Sequence, residues 1–155
     1  MIKYSSLLFI ALIVYTGCST EDDPLSNNFS STFQAKVGQE YWVGESYIDY
    51  SRKESQYIFF SPSKSWNYLY VKVNLTGEGV YPLPDSNAMF VETYGGDVLK
   101  GIYYSVGGAK ESITISQYDT VNKFIAGHLN CSIKKDAEIL LVDVTKFNAR
   151  MINTK

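Results

Sequence analysis

The sequence has few histidine and cysteine residues, which often hold metals or carry catalysis. Its 155 residues include one histidine, His128, and two cysteines, Cys18 and Cys131. A metal site rich in imidazole is therefore excluded, and any histidine-dependent nucleophile would have to use His128, which lies on the outward set of a predicted strand. Calcium-loop, dinucleotide and Walker spacings are absent, and the scattered carboxylates do not identify a glycosidase pair. The sequence predicts no catalytic residue, no metal and no cofactor.

The chain also lacks a dominant charge. Its 14 basic and 16 acidic side chains give a formal net charge of −2. Because nucleic-acid binding surfaces are strongly basic, this balance gives no electrostatic case for a nucleic-acid partner. We therefore expect no nucleic acid among the partners.

Long hydrophobic runs are limited to the N-terminus. Lys3 precedes the apolar run Leu7–Tyr15, which is too short to cross a bilayer and ends in Thr16-Gly17-Cys18. This order is typical of a secretory signal, and the small pair before Cys18 resembles the lipobox of bacterial lipoproteins. We predict that residues 1–17 are a cleaved signal peptide and that Cys18 is acylated, which anchors the protein to the membrane without crossing it. The alternatives are an ordinary secretory signal and a disulfide between Cys18 and Cys131.

An acidic cluster, Glu21, Asp22 and Asp23, follows Cys18. It resembles the export signal that carries lipoproteins of bacteroidete-type bacteria to the outer face of the outer membrane. A solvated acidic leader on a periplasmic lipoprotein is the alternative. The polar, non-periodic residues up to Ser31 predict that residues 18–31 form an acidic, flexible tether.

Residues 32–155 predict one antiparallel β domain. Apolar and polar residues alternate clearly in residues 67–75, where Leu69, Val71, Val73 and Leu75 share one face. They alternate again in residues 124–133, where Cys131 lies on the apolar face. No window of about 11 or more residues shows helical periodicity, so any helix is expected to be one short turn near Asp85 to Asn87. The pattern favours a single antiparallel β-sandwich or barrel, lipocalin-like or jelly-roll-like.

The predicted strands are short, with hairpin turns expected at Gly38-Gln39, Gly107-Gly108 and residues 134–137. They cover residues 32–37, 40–43, 47–50, 56–61, 67–75, 88–94, 99–106, 111–118, 124–133, 138–144 and 146–152.

Three segments resemble a family of small bacteroidete lipoproteins of unknown function. They are the opening Phe33-Gln34-Ala35-Lys36-Val37-Gly38-Gln39-Glu40-Tyr41-Trp42, the middle Gly79-Val80-Tyr81-Pro82-Leu83, and Ile113-Thr114-Ile115-Ser116-Gln117-Tyr118-Asp119 followed by Phe124-Ile125-Ala126-Gly127. The resemblance implies an antiparallel β domain and brings no catalytic residues. Leu129 stands where the family has an aromatic residue, and residues 144–147 lack its usual glycine.

Aromatic residues are abundant, with 13 tyrosines, 8 phenylalanines and 2 tryptophans. Flat rings with polar edges can stack on sugars, which makes Trp42, Trp66, Tyr68 and Tyr70 candidate binding residues. Tyr47, Tyr50, Tyr103 and Tyr104 are further candidates. The alternative is that these rings are ordinary cross-strand pairs of a sheet.

The sequence therefore favours a non-enzymatic binding domain anchored to the outer membrane through Cys18, facing the cell surface. A glycan or an envelope protein is the expected partner. A structural or envelope-assembly lipoprotein is the alternative, and a hydrolase is a weaker one because no catalytic motif is present.

Overall fold

The computed structural model describes residues 30–50 and 55–152. This part of the chain is all-β, and it contains no helix long and apolar enough to cross a membrane. Its strands are β1 (Thr32–Val37), β2 (Glu40–Asp49), β3 (Gln56–Pro62), β4 (Tyr68–Val73), β5 (Gly79–Pro82), β6 (Ala88–Tyr94), β7 (Val98–Ser105), β8 (Ser112–Asp119), β9 (Phe124–Lys135) and β10 (Glu138–Ile152).

The strands form one mostly antiparallel sheet that closes into a ring. Its order is β1-β10-β2-β3-β4-β6-β7-β9-β8-β5, and pairing of β9 with β10 and of β1 with β2 closes the circle. A short parallel pairing joins Arg150–Ile152 of β10 to Tyr47–Asp49 of β2. The all-β prediction is confirmed, and the ring is a barrel-like arrangement.

The core lies inside the ring and is built from the inward half of each alternating strand. Leu69, Val71 and Val73 of β4 are at most 5% exposed, as their alternation predicts. Phe60 makes edge-to-face contacts with Phe33 and Phe147 at centroid distances of 5.3 and 5.4 Å. Because side chains fill the interior, the ring is a packed core.

Two predicted strand breaks are absent. Residues 40–49 form one strand, and residues 138–152 form another that continues through a register shift between Val144 and Phe147. A bulge absorbs the extra residue there and lets pairing with β9 resume. The sequence suggested two strands because the bulge interrupts the alternation of buried residues.

The turn predictions have different outcomes. Gly38-Gln39 does connect β1 and β2, with Gly38 at a φ of 59°. Gly107-Gly108 does not form a hairpin, because β7 and β8 do not pair with each other and both pair with β9. The short helical turn expected near Asp85 to Asn87 is also wrong, since Ser86 has a φ of 64° within a non-helical turn.

The wall of the ring has a seam where β9 changes neighbours. β8 pairs with β9 as far as Asn130, whereas β7 pairs with it from Ile133 onward. Between these two stretches, the Ser132 amide donates to Oε1 of Glu111 at 3.1 Å, and the Ser132 carbonyl accepts from the Val106 amide at 3.1 Å. The loop after β7 therefore supplies hydrogen bonds that a neighbouring strand would otherwise provide.

Candidate functional site

A line of large side chains crosses the outer face of the sheet. The strand register places Tyr47 opposite Phe59, Phe59 opposite Tyr70, Tyr70 opposite Met89, and Met89 opposite Tyr104. The chain neighbours of every one of these five residues are buried, so the five side chains project outward. We call these five residues the outer aromatic row.

The rings of the row pack against one another. Tyr47 and Phe59 are stacked with a centroid distance of 4.8 Å and an interplanar angle of 14°, and Phe59 lies 5.9 Å from Tyr70. Tyr57, two residues before Phe59 on the same face of β3, meets Tyr70 edge to face at a centroid distance of 6.0 Å. Because neighbouring rings cover part of each ring face, the row presents ring edges and phenol hydroxyls to a ligand.

Phenol groups gather at the centre of the row. The Tyr70 hydroxyl donates to Sδ of Met89 at 3.0 Å. Burial raises the pKa of Tyr70 first, and the nearby phenols of Tyr104, Tyr57 and Tyr68 raise it further. Tyr70 is therefore a neutral phenol at physiological pH, with neighbouring hydroxyls that can both donate and accept hydrogen bonds.

An open pocket lies at the Tyr104 end of the row. Its volume is about 290 Å³. Tyr104 is paired directly with Lys134 of β9, so the row leads into the pocket without a break in the sheet. The lining includes Asp85, Ser86, Tyr104, Val106, Lys134 and Asp136.

The charged groups of the pocket are not paired with one another. Within residues 30–50 and 55–152, the one ion pair closer than 4.0 Å joins Lys100 to Glu92, away from this lining. The same part of the chain contains no group of histidine, cysteine or carboxylate side chains that could hold a metal ion. The pocket therefore offers two carboxylates, one ammonium and a phenol ring for hydrogen bonding and stacking.

The four aromatic residues predicted from the sequence lie in three places. Tyr70 is the middle of the row, and Tyr68, 38% exposed, lies beside it on β4. Trp66 is 71% exposed and packs on the backbone of Gly96, where an added Cβ would come within 2.8 Å of the indole. Trp42 lies on the other side of the sheet, buried against Phe90, so it does not share this surface.

Other predicted residues lie outside this surface. His128 is exposed on β9, as expected from its outward position, and Cys131 is a buried free thiol. Of the further aromatic candidates, Tyr47 and Tyr104 belong to the row, Tyr103 is buried, and Tyr50 bonds to the hydroxyl of Tyr118. Cys18, Glu21, Asp22 and Asp23 lie outside the described residues.

Sequence reasoning missed Phe59 and Met89 in the row and the charged residues of the pocket. Phe59 had a usable signal, because it alternates with the buried residues Ile58 and Phe60. Asp85, Lys134 and Asp136 had none, since they come from two loops and a strand that meet only when β7 pairs with β9.

Comparisons with known proteins return no match to this chain. No protein-family model, curated protein sequence or solved structure matches it. The resemblance to bacteroidete lipoproteins therefore stays a prediction from short motifs.

Proposed function

We propose that this protein is a non-enzymatic, lipid-anchored domain that binds a glycan on its outer aromatic row. The observation that carries the proposal is the convergence of phenols on Tyr70 at the centre of a line of half-buried rings. Sugars present apolar C–H groups beside hydroxyls, and tyrosine offers an apolar ring with a hydroxyl that donates and accepts. Rings fixed by cross-strand contacts lose little freedom when a ligand binds.

Trp66 adds an open aromatic face next to this surface. Its indole rests on Gly96 on one side and is 71% exposed. It lies in the bend before β4, two and four positions before the outward-facing Tyr68 and Tyr70. A glycan that extends from the row along β4 would therefore reach a ring available for stacking.

Binding is tested with the full-length protein purified in detergent and titrated with soluble glucans, mannans, galactans and oligogalacturonate. We expect saturable binding to at least one probe and a loss of affinity of about tenfold or more for Tyr70→Ala, which equals about 1.4 kcal/mol or more. Tyr70→Phe, which keeps the ring, should lose less. Tyr41→Ala is the matched control, because Tyr41 is 84% exposed and lies outside the row.

Two results would contradict glycan binding at this surface. One is the absence of saturable binding to every probe. The other is a Tyr70→Ala protein, folded by circular dichroism, that binds a glycan as tightly as the Tyr41→Ala control.

Anchorage is the second part of the proposal. Cys18 is acylated, Glu21, Asp22 and Asp23 direct export, and residues 18–31 tether the domain to the outer face of the outer membrane. Two or more acyl chains give stable attachment, since one chain alone holds a protein only marginally. The support is the order of basic, apolar and small residues before Cys18.

Membrane fractionation tests this anchorage. Cys18→Ala should release the protein from membranes and abolish incorporation of labelled fatty acid. Incorporation that survives the substitution contradicts acylation at Cys18. Protease added to intact cells should digest the domain if it faces the surface, whereas full protection would place it on the periplasmic face.

Docking to an envelope protein is the second candidate function, and exposed apolar residues of the β6–β7 hairpin favour it. Tyr94 and Val98 pair across the β6–β7 hairpin and are 72% and 54% exposed, and Leu99 is 58% exposed. Trp66 packs on Gly96 of the same hairpin. Exposed apolar patches of this kind are typical of protein interfaces. Leu99→Lys should then remove an envelope protein that co-purifies with the wild type while leaving glycan binding unchanged.

A further inference from the structure

The pocket beside Tyr104 is built from segments that hold one another in place. Oγ of Ser105, a buried residue, accepts from the Ala88 amide at 3.0 Å and donates to the Pro84 carbonyl at 3.1 Å. The Ser86 amide donates to the Ser105 carbonyl at 3.0 Å. These bonds fix the turn that carries Asp85 against the end of β7, so this side of the pocket is preformed.

Gly107 helps to set the position of Asp85. It has a φ of 67°, and a Cβ added there would collide with Oδ1 of Asp85. Any other residue would therefore displace the carboxylate and strain the backbone. Asp136, which lines the pocket together with Lys134, occupies the turn after β9 with a φ of 53°.

The charges in the pocket are available to a ligand. Within the described residues, the carboxylates of Asp85 and Asp136 and the ammonium of Lys134 make no ion pair. A carboxylate accepts hydrogen bonds from hydroxyl groups, and an ammonium donates them. The ring of Tyr104, which is 44% exposed, supplies an apolar wall.

We propose that this pocket is the subsite for one sugar ring at the end of the row, and that it selects a neutral sugar over a uronic acid. The assignment rests on the glycan-binding function proposed above. A volume of about 290 Å³ is at the small end of ligand pockets, which suits one ring rather than several. Two carboxylates against one ammonium favour hydroxyl donors and repel a sugar carboxylate, so the selection arises partly from repulsion.

The test compares neutral hexasaccharides of glucose, mannose and galactose with hexagalacturonate, using the full-length protein in detergent. We expect the best neutral probe to bind about tenfold or more tightly than hexagalacturonate, because the two carboxylates of the pocket repel a uronate carboxylate and do not repel a neutral sugar. The double variant Asp85→Asn with Asp136→Asn keeps the side-chain shapes and removes both charges. It should lose about tenfold in affinity for the neutral probe and most of the discrimination against the acidic one.

Asp143→Asn is the matched control, because Asp143 is exposed on β10 and outside the pocket lining. The subsite is overturned if hexagalacturonate binds the wild type as tightly as the neutral probes. It is also overturned if the double Asn variant binds every probe like the Asp143→Asn control while Tyr70→Ala loses binding, and in that case the proposed function survives. If no probe binds the wild type, both proposals fail together.

Discussion

The inner and outer faces of the sheet both carry many aromatic rings, but the rings are held in different ways. Inside, Phe33, Phe60 and Phe147 are at most 2% exposed and pack edge to face within the ring of strands. Outside, Tyr47, Phe59 and Tyr70 are half-buried by neighbouring side chains of the same sheet face, and none of the described strands packs over them. The inner rings therefore stabilise the fold, whereas the outer rings keep surface that a ligand can bury.

Phe60 and Phe59 give the sharpest test of this difference, because they are adjacent and project to opposite faces. Phe60→Ala should lower the free energy of unfolding by about 3–5 kcal/mol, since it leaves a cavity among packed rings. Phe59→Ala should cost about 1 kcal/mol, the size of a few cross-strand contacts. Urea unfolding followed by tryptophan fluorescence measures both, and similar losses would show that the outer row is part of the core.

The separation of the inner and outer faces also requires continuous hydrogen bonding around the ring. At the seam near Ser132, one of these hydrogen bonds is accepted by the side chain of Glu111. Glu111→Ala removes the acceptor of the Ser132 amide and should destabilise the protein by about 2 kcal/mol. Glu111→Gln keeps a carbonyl oxygen in that position and should cost less. Oε2 of Glu111 is buried and has no hydrogen-bond partner among the residues that the structure describes, so part of the cost of the alanine change is offset. Equal stability of the alanine variant and the wild type would contradict a role for Glu111 in closing the seam.

The sequence predicted which face many side chains occupy, because the two-residue period of a strand fixes their direction. Leu69, Val71 and Val73 were placed correctly for this reason, as was Cys131. The order of the strands was not predictable. β4 pairs with β6 rather than β5, and β2 meets β10 in parallel, because partner choice depends on packing between segments far apart in the chain.

The candidate site was predictable to the extent that alternation defines it. Tyr68 and Tyr70 alternate with apolar residues, so their outward position could be read from the chain. Trp42 could not be placed, because its inward neighbours on β2 include Gly44 and Ser46 and give no apolar alternation. Gly44 is small there because a Cβ would collide with the Ser61 carbonyl on β3. The pocket forms only where β7 pairs with β9, and the sequence pattern does not predict that pairing.

Tyr103 is buried on the inner face and its neighbour Tyr104 is exposed on the outer face, so the pH dependence of stability can be compared between the two faces. Burial and the hydrogen bond from the Tyr103 hydroxyl to Glu138 raise the pKa of Tyr103 to about 12 from an ordinary value of 10.0. The folded state holds this proton more tightly than the unfolded chain. Its contribution to stability is therefore complete below pH 10 and is lost as the pH rises towards 12.

Alkaline titration of the unfolding free energy measures this contribution. Tyr103→Phe should remove the fall in stability that Tyr103 causes across that pH range. Tyr104→Phe, one residue away on the outer face, should leave the fall in place. A wild-type protein whose stability is flat through the range would contradict the hydrogen bond that the Tyr103 hydroxyl donates to Glu138.

Modification of the Cys131 thiol is the smallest of the expected effects, and it measures most directly whether the sheet excludes water at β9. Burial, and to a lesser degree the charge of Glu111, raises the pKa of the Cys131 thiol to about 12, so almost no reactive thiolate exists at neutral pH. In a Cys18→Ala protein, Cys131 is the single cysteine of the chain. A water-soluble thiol reagent should leave it unmodified in the native state and modify it fully in urea.

Glu111→Ala removes the hydrogen bond that the Glu111 side chain accepts from the Ser132 amide, next to this thiol. If the folded variant is modified slowly and the parent protein is not, the sheet opens locally at the seam. Rapid modification of the folded Cys18→Ala protein would instead mean that the inner face is open to water, and the distinction between the faces would fail at this strand.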